Sequence, residues 1–219
     1  MPNNLVISLD AMGGDRAPEM IIRGASIARV RMPEVHYLIV GDESRIAPLL
    51  EKDPDLAAVS SIRHTEELIS SGEKPAVALR SGRNSSMRLA INAVADGEAA
   101  SVVSAGNTGA LMAISKFVLK TLPGIDRPAI TAFYPTRKGE ACMLDLGANL
   151  QCDAKNLVQF AVMGEVFART VLGIETPTIG LLNVGVEELK GHEEIREAAG
   201  ILRSADLPGE FAGFVEGDD

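Results

Sequence analysis

The chain has 219 residues, is 46% hydrophobic with no tryptophan, and carries a formal net charge of −9. That length accommodates one large α/β domain with an aliphatic core, and the negative charge argues against a general nucleic-acid surface, which needs clustered positive charge. Two cysteines and three scattered histidines supply neither a disulfide framework nor a zinc-ligand spacing, and no apolar run reaches the ~20 residues that span a bilayer. No metal and no organic cofactor is expected, and without a leader pattern at the N-terminus the expected location is cytoplasmic.

In chain order the pattern is strand, loop and helix, repeated. Leu5–Leu9 reads as a strand. Asp15 is placed to cap a helix with Pro18 in its first turn, and Met20, Ile21, Gly24, Ala25 and Ala28 form its apolar face. A strand at Val35–Val40, a short helix at Glu43–Lys52 and a weaker strand at Val59–Arg63 follow. Glu66–Ser86, with Gly72, Pro75 and Gly82, reads as a short helix plus a loop, either a surface connection or a lid. Next come a helix at Ser86–Asp96, a buried strand at Ser101–Ser104 and a helix at Thr108–Thr121. Two β-rich runs, Ala129–Tyr134 and Ala141–Leu146, flank a polar loop and suggest a hairpin, so the sheet is expected to be mixed. A long helix at Ala154–Val171, a strand at Thr178–Leu182, a helix at Glu193–Ser204 and a last strand at Phe211–Val215 complete the chain. The class is α/β in a single domain over residues 1–219.

Chemistry concentrates just after the strands. Asp10-Ala-Met-Gly13-Gly14-Asp15, Ser104-Ala-Gly106-Asn107-Thr108-Gly109, Asp145-Leu-Gly147-Ala-Asn149 and Asn183-Val-Gly185 are four polar, glycine-bearing loops. In an open parallel sheet such loops lie on the edge where α/β proteins bind ligands. Backbone N–H groups and a helix N-terminus at one point suit an anion, phosphate above all. Each loop also has a purely structural reading. Gly13-Gly14 makes a tight connection, Asn107-Thr108 a helix N-cap, and Asp145 with Asn149 a loop tie. Lys190 is most simply a solvated lysine.

Six segments in order resemble one known family. They are Asp10–Asp15, Ser104–Met112, Arg127–Ile130, Leu144–Asn149, Leu181–Gly185 with Glu188 and Lys190-Gly191, and Gly213-Phe-Val-Glu216-Gly217. Together they are similar to the bacterial phosphate acyltransferases of fatty acid and phospholipid synthesis (PlsX type, acyl-acyl-carrier-protein:phosphate acyltransferase). The resemblance implies an isocitrate/isopropylmalate-dehydrogenase-like three-layer fold with a mostly parallel sheet, and a homodimer. It implies transfer of a fatty acyl group from acyl carrier protein to inorganic phosphate. It also implies functional coupling of the acyl phosphate product to a membrane glycerol-3-phosphate acyltransferase, peripheral membrane contact included. Family members continue well beyond Asp219. One departure is Arg80-Ser-Gly-Arg83-Asn84-Ser85-Ser86-Met87, where the family has a more lysine-rich stretch.

For such a reaction phosphate is itself the nucleophile, so alignment and electrostatic stabilisation suffice. Ser104, Asn107 and Thr108, with the Gly106 and Gly109 backbone, are the candidates to hold phosphate. Asn149, Asn183 and Lys190 are candidates for orientation or charge stabilisation. Asp10 or Asp145 would position a proton or order a neighbouring donor. Gly13, Gly14, Asp15, Gly147, Gly185 and Glu216 shape the loops. Arg80, Arg83 and Arg88 form an exposed face or meet an acidic carrier protein. The competing readings are a phosphate acetyl- or butyryltransferase using coenzyme A and a non-catalytic scaffold that binds acyl carrier protein. A dinucleotide binder is weakened by the lack of G-x-G-x-x-G after a strand.

Overall fold

In the computed structural model, which describes residues 5–137 and 139–217, four parallel strands make the first sheet. They are β1 (Leu5–Asp10), β2 (Val35–Gly41), β3 (Ser60–His64) and β4 (Ser101–Ser104), in the order β3-β2-β1-β4. The chain steps outward from β1 to β3 and then returns to the other side of β1. That reversal makes the C-terminal ends of β1 and β4 a topological switch point, where open α/β sheets place ligands. Asp10 and Ser104 are register partners there.

β2 is almost wholly buried because helices cover both faces. With side chains alternating, Val35, Tyr37 and Ile39 join one core with Leu9, Ile22 and Ile46, while Leu38 and Val40 join Ala90, Ala93 and Ala99 in another. The first layer is α1 (Glu19–Arg31), α2 (Glu43–Leu50) and α3 (Pro54–Ala57). The second core is completed by α5 (Ser86–Ala95). A separate cluster brings Ile69, Ala78, Met87 and Ile91 onto Ala110 and Ile114, joining α4 (Pro75–Ser81) and α5 to α6 (Thr108–Leu119).

Two expectations for α1 need correction. Asp15 does not cap it: the helix starts at Glu19, Pro18 occupies the N-cap position without a side-chain bond, and Asp15 lies in the preceding turn. The buried face is also turned. Ile22 and Ala25 are buried, whereas Met20 is 54% exposed. α3 was not foreseen; Asp53 caps it by accepting from the Leu56 N–H, and Pro54 provides its first residue.

Contacts divide the chain into two units, residues 1–120 and 121–219. The second begins with the expected hairpin, β5 (Thr131–Thr136) antiparallel to β6 (Gly139–Leu144). α7 (Ala154–Val171) follows, held at its start by a reciprocal capping box between Asp153 and Asn156. β7 (Thr178–Leu182) and β8 (Glu210–Val215) pair in parallel, with α8 (Glu193–Ser204) between them in sequence. Leu181, Phe214, Ala198, Ala199 and Leu202 form this unit's core with Ala154. The hairpin and the β7–β8 pair are separate two-stranded sheets. The architecture is α/β with a mostly parallel central sheet.

Candidate functional site

At the switch point a buried carboxylate organises three chain segments. Asp10 ends β1 and is 1% exposed. Its Oδ1 accepts a 2.6 Å hydrogen bond from the Ser86 hydroxyl, at the start of α5, and its Oδ2 accepts another of 2.6 Å from the Ser104 hydroxyl, at the end of β4. The Ser104 oxygen in turn accepts from the Gly106 N–H at 3.1 Å. Gly13 is packed into this cluster: a Cβ on it would lie 2.5 Å from Asp10 Oδ2 and 2.9 Å from the Gly106 nitrogen. Gly14 adopts φ +102° beside the Ala105 carbonyl, a conformation that glycine enters without penalty.

Asn107 is the N-cap of α6, its Oδ1 accepting from the Ala110 N–H at 3.0 Å. Its Nδ2 faces three main-chain carbonyls, those of Ser70, Ser71 and Glu73, at 3.3, 3.0 and 2.8 Å. One side chain therefore starts the helix and straps the 70–73 segment to it. The strap runs close: a Cβ on Gly109 would meet Pro75 Cγ at 2.8 Å. The strap's base is tied as well, with the Ser86 N–H donating to the Glu67 carbonyl and the Thr65 hydroxyl to the Asn84 carbonyl.

The Ser104 hydroxyl, the Gly106 amide and the Asn107 amide group are engaged in building the loop. The donors that a helix start leaves over for an anion are its first main-chain amides, at Thr108 and Gly109. Thr108 is exposed at that point. The structure brings Asp10, Gly13, Ser104 and Gly106 together, and it adds Ser86, which sequence reasoning passed over. The signal for it was Ser85-Ser86 directly before an apolar helical period. Ser85 is indeed the N-cap of α5, accepting from the Arg88 N–H.

In the second unit the polar loops are also self-contained. Asp145 Oδ1 accepts from the Ile130 and Ala148 amides, at 2.7 and 3.2 Å, and Oδ2 from the Asn149 amide and side chain, at 2.7 and 3.0 Å. Partial burial pushes this carboxyl upward, but the hydrogen bonds outweigh it and hold the group below the usual carboxylate range. Asn149 also donates to the Pro128 carbonyl at 2.9 Å. Gly147 takes φ +102° in the same loop. After β7, Asn183 Nδ2 donates to the carbonyls of Gly185 and Lys190, at 3.1 and 3.2 Å, closing the 183–190 loop. Gly191 sits against the Asn183 side chain at φ +84°, leaving no room for a Cβ. Lys190 Nζ is exposed, 4.0 Å from Glu187 Oε1, and Glu216, just past β8, is exposed too. Among the described residues no cluster of His, Cys, Asp and Glu is arranged to hold a metal ion, and no helix is long and apolar enough to cross a membrane.

Similarity to known proteins bears on this geometry. A phosphate acyltransferase of Rhodospirillum centenum is 68% identical over the whole of this chain, which covers 62% of that protein. One of Paramagnetospirillum magneticum is 60% identical over 98% of this chain and 61% of its own length. The chain thus spans somewhat under two thirds of these relatives. Among solved structures, a phosphotransacetylase of Streptococcus pyogenes superposes with a TM-score of 0.69 at 18% identity, over 96% of this chain and 68% of that one. The EutD phosphotransacetylase of Staphylococcus aureus gives 0.66 at 20% identity, over 97% and 69%. At these identities the likeness is one of fold. The model of the fatty acid synthesis protein family matches residues 5–219, and with the match running through all four polar loops the chain belongs to that family.

Proposed function

We propose that this chain carries the phosphate-handling part of an acyltransferase that moves a fatty acyl group from acyl carrier protein to inorganic phosphate, releasing acyl phosphate. One observation carries the reading: relatives that share more than half of their residues with this chain, end to end, are named phosphate acyltransferase. The geometry supports it. The start of α6 presents main-chain amides and the positive end of a helix at a switch point, and the rigid Asp10–Ser104 cluster holds that loop in place. Phosphate held there attacks the thioester carbonyl directly. The thiolate leaves, and no covalent enzyme intermediate is needed. The two units serve as one acyltransferase domain. Acyl carrier protein, a homodimeric partner and a membrane glycerol-3-phosphate acyltransferase that consumes the product are the proposed partners, in the cytoplasm.

The test gives long-chain acyl-acyl carrier protein and phosphate to this chain and to a form extended to the relatives' length. Acyl phosphate is trapped as hydroxamate with hydroxylamine. Product from either form supports the reading. Two well-folded, inactive forms overturn it. A second reading, transfer from a coenzyme A thioester, is favoured by the fold shared with the phosphotransacetylases. Turnover of short acyl-coenzyme A in preference to acyl-acyl carrier protein would establish it.

A further inference from the structure

In a chain of net charge −9, the segment from Lys74 to Lys120 runs the other way, with six basic residues and two acidic ones. All six cations, Lys74, Arg80, Arg83, Arg88, Lys116 and Lys120, belong to the first unit. They lie on or beside α4, α5 and α6, which share one apolar cluster and contain no acidic residue. Of the two acids, Asp96 sits at the far end of α5 and Glu98 is paired with Arg63 of β3. Among the described residues none of the six cations is in an ion pair. Arg88 is half-buried and the other five are exposed.

Helix electrostatics accounts for only part of this charge. Arg80 and Lys116 lie in last turns, where a cation is favoured. Lys74 stands at the N-cap of α4 without a side-chain cap bond, and Arg83 precedes the Ser85 cap of α5, both at helix starts where a cation is disfavoured. Lys120 is stranger. It is the one non-glycine residue at positive φ among those described, with φ 67° and ψ 173°, a conformation essentially reserved for glycine. Its ammonium lies 4.9 Å from the centroid of the Phe117 ring, and the Arg88 guanidinium lies 5.4 Å from the same centroid. The two charges are thus within about 10 Å of each other, close enough to repel at physiological salt. An aromatic ring that is 53% exposed holds them together, and an incoming anion relieves the repulsion.

We propose that this face docks a compact acidic protein, with carboxylates seated at the Arg88–Phe117–Lys120 corner and along Arg83 and Lys116. The partner's identity rests on the acyl-transfer reading, which makes it the acyl carrier protein. Phe117 lies about 14 Å along α6 from Thr108, so a carrier docked at the end of this helix can extend a flexible thioester arm toward the amides at its start. A bilayer fits the face less well, because the ring of Phe117 is already engaged by two cations. An extended polyanion such as a nucleic acid fits less well too, because the rest of the chain is acidic and repels it.

Binding of holo-acyl carrier protein is titrated against this chain and against the form extended to the relatives' length. Arg83→Glu/Lys116→Glu/Lys120→Glu should weaken binding by about 100-fold, whereas Arg23→Glu, on the exposed side of α1, should leave it unchanged. Lys120→Gly removes one charge and relieves the backbone. Its melting temperature should rise by about 2–4 °C while binding weakens by about threefold to tenfold, a combination that a purely structural lysine would not give. In the extended form the triple variant should raise KM for acyl-acyl carrier protein and leave KM for phosphate unchanged. Acyl phosphate formed with an unchanged KM for the carrier overturns the docking and keeps the acyl-transfer reading. Carrier bound through this face with no acyl phosphate formed supports the docking and overturns that reading. Unchanged affinity in the folded triple variant, or no carrier binding by either form, overturns the proposal. So does binding of phosphatidylglycerol vesicles that the triple reversal abolishes and excess carrier does not displace, which makes a bilayer the occupant.

Discussion

Asp10 and Ser104 lie opposite each other at the ends of neighbouring parallel strands, and their side chains are joined by a 2.6 Å hydrogen bond. The same carboxylate takes the Ser86 hydroxyl, so β1, β4 and α5 meet on one buried group. Hydrogen bonds to a charged acceptor contribute about 1.5–3 kcal/mol each. Asp10→Ala should therefore cost about 3 kcal/mol, read as a lower urea midpoint. Ser104→Ala should cost about half of that, and a double-mutant cycle on the pair should return a coupling of about 1–2 kcal/mol. Additive losses would show that the two groups act independently.

Gly13→Ala should be among the most damaging small substitutions in the chain. The new Cβ meets the Asp10 carboxylate and the Gly106 main chain at 2.5 and 2.9 Å, neither of which swings away like a flexible side-chain end. Gly24→Ala is the matched control, because nothing lies within 4 Å of its Cβ position. It should be neutral or stabilising by about 0.5–1 kcal/mol, since alanine is the better helix former. Thermal melts of the two variants should move in opposite directions.

Substitutions at Asn107 should separate its two jobs. Asn107→Ala removes both the helix cap, worth about 1 kcal/mol, and the hold on the strap. Asn107→Asp keeps the cap acceptor but turns a carboxylate toward the carbonyls of Ser70, Ser71 and Glu73. Its global stability should stay near that of the parent while hydrogen exchange at residues 70–77 speeds up at least tenfold. Unchanged exchange there would show that the strap is held by other contacts.

The Asp145 loop should soften with acid. Its folded-state carboxyl titrates below the usual range because hydrogen bonds from Ile130, Asn149 and Ala148 outweigh partial burial. A depressed folded value contributes stability that is complete above the unfolded value of about 3.9. It is lost as pH falls through the folded value. Asp145→Asn should lower stability at pH 7 and flatten the decline as pH falls below about 4. Urea midpoints at several pH values, for parent and variant, check both statements.

Most elements were legible because their causes are local. The apolar run of β2 and the Asn107 cap lie within a few residues of what they organise. α1 shows the limit of periodicity: Met20, Ile21 and Ile22 are consecutive apolar residues, and the packing of Ile22 against Leu9 and Ile39 selects the face. The candidate site was legible as a place but not as a mechanism. Strand-end glycines marked the switch point, yet Ser86 lies 76 residues from the carboxylate it serves. The partners of Asn107 Nδ2 are main-chain carbonyls, which leave no trace in residue identity. Ser104, Asn107, Asp145 and Asn149, read as candidate ligand-binding residues, also bond within their own loops, because a partly buried loop must satisfy its own polar groups.

The shared duty of Asn107 has a thermodynamic consequence. Helix start and strap position are coupled through a single amide, and coupling between two events is reciprocal. Whatever firms the first turn of α6, an anion on its amides included, must favour the seated strap by the same free energy. Conversely, anything that lifts residues 70–73 must loosen the grip on that anion to the same degree. Helix start and strap seating at this corner are one equilibrium seen from two sides.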